Sequence, residues 1–155
     1  MSKKRKIVYD DSCEYKEIDN VLHIVYKDVI PEYIIKIADI YEGKIDNRIG
    51  INFPMDIVKK DKGDNKLKKY NCEYVIVYKK GDKLTKEHEL MHAKYYMDNN
   101  YKENIKKIWR EMDNKNKDKV KKMLKNMGYP DNEEILIDEF QAYYYTEKAN
   151  FFGKF

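Results

Sequence analysis

The sequence predicts an α+β fold in which a small N-terminal sheet with one helix precedes a mainly helical C-terminal half. Three observations carry that prediction. Residues 21–26 and 72–79 are dense in β-branched and aromatic side chains, and the second run alternates between two faces. From residue 85 onward, apolar side chains recur at helical spacing. With 155 residues and 42% hydrophobic content, the chain suits one domain with a genuine core. The expectation is therefore a single domain over residues 1–155, with residues 1–6 a disordered basic tail.

The elements follow in order. Val21-Leu22-His23-Ile24-Val25-Tyr26 reads as a strand. Pro31 opens a helix through Ile34, Ile35, Ala38 and Tyr41, and Gly43 closes it. A further strand is expected within residues 48–58, where Gly50 and Pro54 favour an irregular or edge position. Residues 59–69 read as a loop or hairpin tip. In the strand at 72–79, Cys72, Tyr74, Ile76 and Tyr78 share one face. Thr85 is the expected N-cap of a helix reaching about Asp98. Stripes of Ile105, Ile108, Trp109 and Met112, then Val120, Met123, Leu124 and Met127, mark two more helices with core-facing sides. Asp131, with Glu134 three residues on, resembles a capping box for a last helix over residues 132–148.

Composition excludes several classes. Charged residues make up 39%, but the net charge is only +4, too small a bias to argue for nucleic acid. Two clusters bear on that alternative, Lys3-Lys4-Arg5-Lys6 and the lysine-rich stretch from Lys115 to Lys125. The first reads as a frayed terminus or a nuclear localisation signal, the second as the solvated face of a helix. Cys13 and Cys72 form no CxxC pair, so reduced thiols in an intracellular compartment, cytoplasmic or nuclear, are expected. No apolar run reaches membrane-span length and no signal-peptide core is visible, so neither membrane insertion nor secretion is expected.

The sharpest motif is His88-Glu89-Leu90-Met91-His92. Residues four apart on a helix lie one turn above each other, so His88 and His92 can present ring nitrogens to one metal ion. Glu89 sits about 100° round the axis, where its carboxylate can act as general base on water at the metal without ligating it. The chain has only three histidines, and shuffling this composition yields HExxH in roughly three sequences per thousand. Zinc is the metal expected.

A catalytic zinc site takes three protein ligands. His23 lies on an early strand with no spacing relation to the motif, and a satisfied strand histidine accounts for it better. Asp98 falls six residues after His92, but the intervening turn needs glycine where this chain has Tyr95. Glu133 and Glu134 belong to a helix's first turn. Glu139 is set among Ile135, Leu136, Ile137, Phe140, Ala142, Tyr143 and Tyr144 on a helix apolar around most of its surface. A carboxylate buried there must be protonated, paired with a lysine or bound to metal.

From residue 70 to residue 147, half the chain, the sequence resembles the gluzincins, zinc peptidases whose HExxH helix is completed by a glutamate on a later helix. The compact single-domain members called minigluzincins are the nearest in architecture, with a small sheet ahead of the active-site helix. Glu139-Phe140-Gln141-Ala142 matches the Glu-x-x-Ala form of that later helix. The resemblance implies a zincin-like fold, His88, His92 and Glu139 as zinc ligands and Glu89 as base. It also implies the strand at 72–79 as an edge that docks an extended peptide, with Tyr74, Ile76 and Tyr78 as substrate-binding residues. Where some members carry an aspartate that orients a ligating histidine, this chain has Tyr143, so that partner must come from elsewhere. Asp138 is a candidate, although adjacency to Glu139 turns it toward a different face. Tyr143, one turn beyond Glu139, is the first choice as donor to the oxyanion, ahead of Tyr144 and Tyr129.

The leading expectation is thus a zinc-dependent metalloendopeptidase acting on protein or peptide substrates. The alternatives are a catalytically inactive binding module on the same fold and, further off, a basic nucleic-acid-binding protein.

Overall fold

The computed structural model describes residues 13–45, 47–63, 65–147 and 151–153. Its architecture is the expected α+β one, a four-stranded N-terminal sheet followed by a mainly helical C-terminal half. The chain divides into two compact units, Met1–Glu89 and Leu90–Phe155. The basic segment at residues 3–6 and the end of the last expected helix at Lys148 lie outside the described residues.

In the first unit, β1 (Glu14–Ile18), β2 (Val21–Tyr26), β3 (Ile51–Pro54) and β4 (Tyr74–Lys79) form one sheet in the order β1-β2-β4-β3. β1 and β2 are an antiparallel hairpin with Ile18 opposite Val21. Asp19 and Asn20 both take positive φ, 51° and 68°, the conformation a two-residue hairpin turn needs. β1 was not expected from sequence, since four of its five residues are exposed and no apolar alternation marks it. β2 pairs with β4 in parallel, and β3 pairs with β4 antiparallel.

That order corrects one expectation: the strand at 72–79 is not an edge. β4 is hydrogen-bonded on both sides, and Tyr74, Ile76 and Tyr78 are buried within the sheet. Among the described residues, the outer strands are β1 and β3. The sheet's interior explains the β-branched run of β4, which has almost no exposed position.

One sheet face, with Leu22, Ile24, Ile51, Phe53, Val75 and Val77, joins Ile34, Ile37 and Ala38 of α1 (Glu32–Glu42) in a single core. Each of the larger side chains, Val, Leu, Ile or Phe, contributes on the order of 1.5–3 kcal/mol by leaving water. α1 begins after Pro31 and ends at Gly43 with φ +89°, as its sequence predicts. The strand expected within 48–58 is β3, and a short helix that was not expected, α2 (Met55–Lys60), follows it, because the fixed φ of Pro54 suits the residue before a helix start. A 3-10 turn, Lys66–Lys69, stands where only a loop was expected.

The second unit packs α4 (Asn99–Glu111), α5 (Asn114–Asn126) and α6 (Glu133–Thr146) around Ile105, Trp109, Val120, Leu124, Leu136 and Phe140. Side-chain caps set their starts: Asp98 accepts from Tyr101 N, Asp113 from Asn116 N and Asn132 from Ile135 N. The last cap is therefore Asn132, not Asp131. The face of α5 bearing Val120 and Leu124 is core, and most lysines of residues 115–125 face solvent. No helix among the described residues is long and apolar enough to cross a membrane.

Candidate metal centre

α3 (Lys83–Met97) carries the HExxH motif. Its start is fixed by Asp82, whose carboxylate accepts from both Thr85 N (3.1 Å) and Thr85 Oγ1 (2.5 Å). The capping residue is thus Asp82 rather than Thr85, which lies inside the first turn and is itself buried. Helix continues through Tyr95 to Met97, so the chain makes no turn back after His92, as expected. Asp98 is occupied as the cap of α4.

His88 and His92 lie one turn apart on α3, and α6 supplies Glu139. One ligand atom from each of these three residues falls within 4.8 Å of the other two. His88 is half-buried, whereas His92 and Glu139 are 1% and 4% exposed. His92 Nε2 and Glu139 Oε1 are 3.3 Å apart. Ligands about 2.0–2.1 Å from a tetrahedral ion stand about 3.4 Å from each other, so this pair already has the spacing of two ligands to one cation. The His88-His92-Glu139 group is spaced so that it could hold a metal ion.

The other nitrogen of His92 is equally well defined. Nδ1 lies 2.8 Å from Asp138 Oδ1, so the ring donates its N–H there and presents Nε2 toward Glu139. Asp138 is held in turn: Gln141 Nε2 donates to Asp138 Oδ1 at 3.0 Å and to Met91 O at 3.2 Å, while Tyr101 OH donates to Gln141 Oε1 at 2.7 Å. Burial opposes a charge on His92, but the carboxylates of Asp138 and Glu139 outweigh it and hold the imidazole pKa well above its ordinary value. The two carboxylates thus favour positive charge on this imidazole.

Asp138 therefore does what its adjacency to Glu139 argued against. The two side chains leave α6 about 100° apart, and His92 is large enough to span them with its two nitrogens. Gln141 was read only as a spacer in the Glu-x-x-Ala match. A polar amide three residues from Asp138, between Phe140 and Ala142, was the sequence signal available.

Glu89 is 5% exposed and accepts from Asn52 Nδ2 at 2.9 Å; Asn52 Oδ1 accepts from Tyr74 OH at 2.5 Å. Gly50 leaves room for the carboxylate: a β-carbon there would overlap Glu89 Oε2 and lie 2.6 Å from Thr85 Cγ2. Neither Asn52 nor Gly50 was identified from sequence as a functional candidate.

The remaining candidates fall elsewhere. His23 is buried on β2, with Nδ1 2.9 Å from Tyr78 OH, and is not part of the metal-ligand group. Glu133 accepts from Trp109 Nε1 at 3.0 Å, and Glu134 pairs with Lys106 at 3.1 Å. Tyr143 OH is 2.8 Å from Tyr129 OH, and its ring stacks on Phe151 with 5.1 Å between centroids, an aromatic packing role in the second unit's core. Tyr78 and Tyr74 spend their hydroxyls on His23 and Asn52.

Comparison of the chain with family models, with curated proteins and with solved structures returns no match.

Proposed function

We propose that this protein is a zinc-dependent metalloendopeptidase of the gluzincin type. One observation carries the reading: two imidazoles and a carboxylate converge within ligand distance, and the residue after the first imidazole is a buried glutamate. Nitrogen and oxygen donors with a histidine fixed by an aspartate are the set that zinc favours in catalytic sites. Zinc, when bound, supplies Lewis acidity to a peptide carbonyl and acidifies water.

The chain's own residues do the rest. His88, His92 and Glu139 would hold the ion, and Asp138 keeps His92 in the tautomer whose Nε2 can ligate. Glu89 takes a proton from the attacking water and later hands it to the leaving amine nitrogen. Tyr143 remains the proposed oxyanion donor, supported by its position one turn after Glu139 and opposed by its bond to Tyr129. An extended peptide would add to an outer strand, and β3, which carries Asn52, is the outer strand bonded to Glu89. Cys13 and Cys72 form no disulfide, which fits an intracellular setting.

Metal analysis of the purified protein beside Glu139→Ala, with peptide-library cleavage by the wild type and Glu89→Gln, tests the proposal. Expected are one zinc per wild-type chain, loss of zinc in Glu139→Ala, and zinc without turnover in Glu89→Gln. Stoichiometric zinc with no cleavage by the wild type would overturn the peptidase reading in favour of a binding module. Unchanged zinc in Glu139→Ala would remove the third ligand.

A further inference from the structure

We infer that Asn52 and Tyr74 are positioning residues that fix the carboxylate of Glu89, an inference that rests on Glu89 being the base. The chain of bonds has only one sense. A tyrosine hydroxyl has a single proton, and Tyr74 gives it to Asn52 Oδ1. That leaves Nδ2 as the group Asn52 turns toward Glu89, and it donates to Oε1. A flipped amide would set oxygen against the carboxylate and nitrogen against the hydroxyl, losing the bond to Glu89.

The sheet register makes this arrangement possible. Asn52 pairs with Ile76 across the β3–β4 ladder, and Tyr74 lies two residues along on the same face, at a diagonal position within reach of a long side chain. Asn52, Tyr74 and Glu89 are 7%, 1% and 5% exposed, so water is a poor substitute for any of the three. From the other side, the absent β-carbon of Gly50 makes room for Oε2. With Oε1 tied to Asn52 and Oε2 seated against Gly50, the carboxylate plane is set before any substrate arrives. Proton transfer needs that pre-orientation, and a displacement on the order of 1 Å costs about 100-fold in rate.

A merely structural asparagine would affect stability alone, so two readouts separate the roles. In the zinc-loaded protein, Asn52→Ala should lower kcat about 100-fold with KM changed less than about twofold, and Tyr74→Phe should lower kcat up to about tenfold. Both should keep full zinc stoichiometry, because Glu89 is not a ligand. Tyr74→Phe preserves the ring and guards against a variant that fails to fold. The second readout needs no turnover: the side-chain NH2 cross-peaks of Asn52 in a 1H–15N spectrum should move in Glu89→Ala and in Tyr74→Phe. Unmoved cross-peaks in Glu89→Ala would overturn the hydrogen bond. Undiminished kcat in both Asn52→Ala and Tyr74→Phe would overturn the positioning role. If the wild type takes up zinc and cleaves nothing while the Asn52 cross-peaks still move in Glu89→Ala and Tyr74→Phe, the peptidase reading would instead be overturned, and with it the catalytic consequence drawn here.

Discussion

His92 and Asp138 meet through a 2.8 Å contact between Nδ1 and Oδ1, on the side of the ring away from Glu139. This bond decides which nitrogen of His92 is available to a cation, and Gln141 and Tyr101 extend its support.

The first prediction follows from it. Asp138→Ala should weaken metal binding about 10- to 100-fold without removing a ligand, the usual effect of losing a partner that orients a ligating histidine. Competition against a metal-responsive dye measures it. Asp138→Asn should lie between the two, since the amide oxygen still accepts a hydrogen bond but carries no charge. An affinity unchanged in Asp138→Ala would show that helix packing alone orients His92.

How much of this was legible in the chain depends on how local each signal is. The HExxH spacing on α3 and the setting of Glu139 among mainly apolar neighbours on α6 are properties of single helices, and both were readable. The buried strands β2 and β4 announced themselves by side-chain type. The position of β4 within the sheet did not, because strand order is set by pairing between residues as far as 53 apart in number, as Val21 with Tyr74 shows. The same reason hid Asn52: nothing in Ile51-Asn52-Phe53 reveals that its amide will find Glu89, 37 residues on. β1 was missed for a different cause. Its outer position leaves it charged and exposed, so its sequence resembles a loop.

A second prediction concerns acid. Burial in the sheet, aided by the positive charges of Lys86 and Lys16 and opposed by Asp19, pulls the His23 pKa below its ordinary value. The fold therefore prefers the neutral ring. Above about pH 6.5, folded and unfolded chains both carry neutral His23, and its contribution is intact. As pH falls below that value the unfolded chain takes the proton first, and stability is lost until the folded pKa is passed. Over the unit from pH 6.5 to 5.5 one proton can remove at most about 1.4 kcal/mol. Urea midpoints at pH 7.5 and 5.5 should show a smaller drop for His23→Gln, which retains a polar partner for Tyr78, than for the wild type. Equal drops would exonerate His23.

The two thiols should differ sharply in reactivity. Cys72 is buried and donates to Glu17 Oε2 at 3.2 Å; burial, that bond and the carboxylate charge push its pKa up to about 12. Only the thiolate reacts, so near pH 8 Cys72 is inert in the folded state. Cys13 is half-buried. Iodoacetamide at pH 8 should modify Cys13 and leave Cys72 intact, with both labelled in denaturant, as read by peptide mass mapping. Glu17→Gln should lower the barrier to labelling at Cys72 only partly, because burial is the largest of the three causes. Equal labelling rates at both cysteines in the native protein would contradict this assignment.

Gly50 separates the metal site from the base more cleanly than any ligand substitution. Its glycine is not required by backbone conformation; the constraint is the approach of Glu89 Oε2 and Thr85 Cγ2 to the point a β-carbon would occupy. Thr85 is part of the first turn of α3 and is tied to Asp82, so it has little room to retreat. The carboxylate is the softer neighbour, and Gly50→Ala should push it off Asn52 Nδ2. Crowding a packed site typically costs about 1–3 kcal/mol, measurable by urea unfolding. Because Glu89 is not among the residues that can hold the ion, zinc stoichiometry should stay at the wild-type level while peptide cleavage falls. Loss of zinc in parallel with activity would mean that the new methyl group had shifted α3 as a whole. Full activity with full stability would mean that the carboxylate tolerates a second position, and that its seat against β3 does not set the geometry of proton transfer.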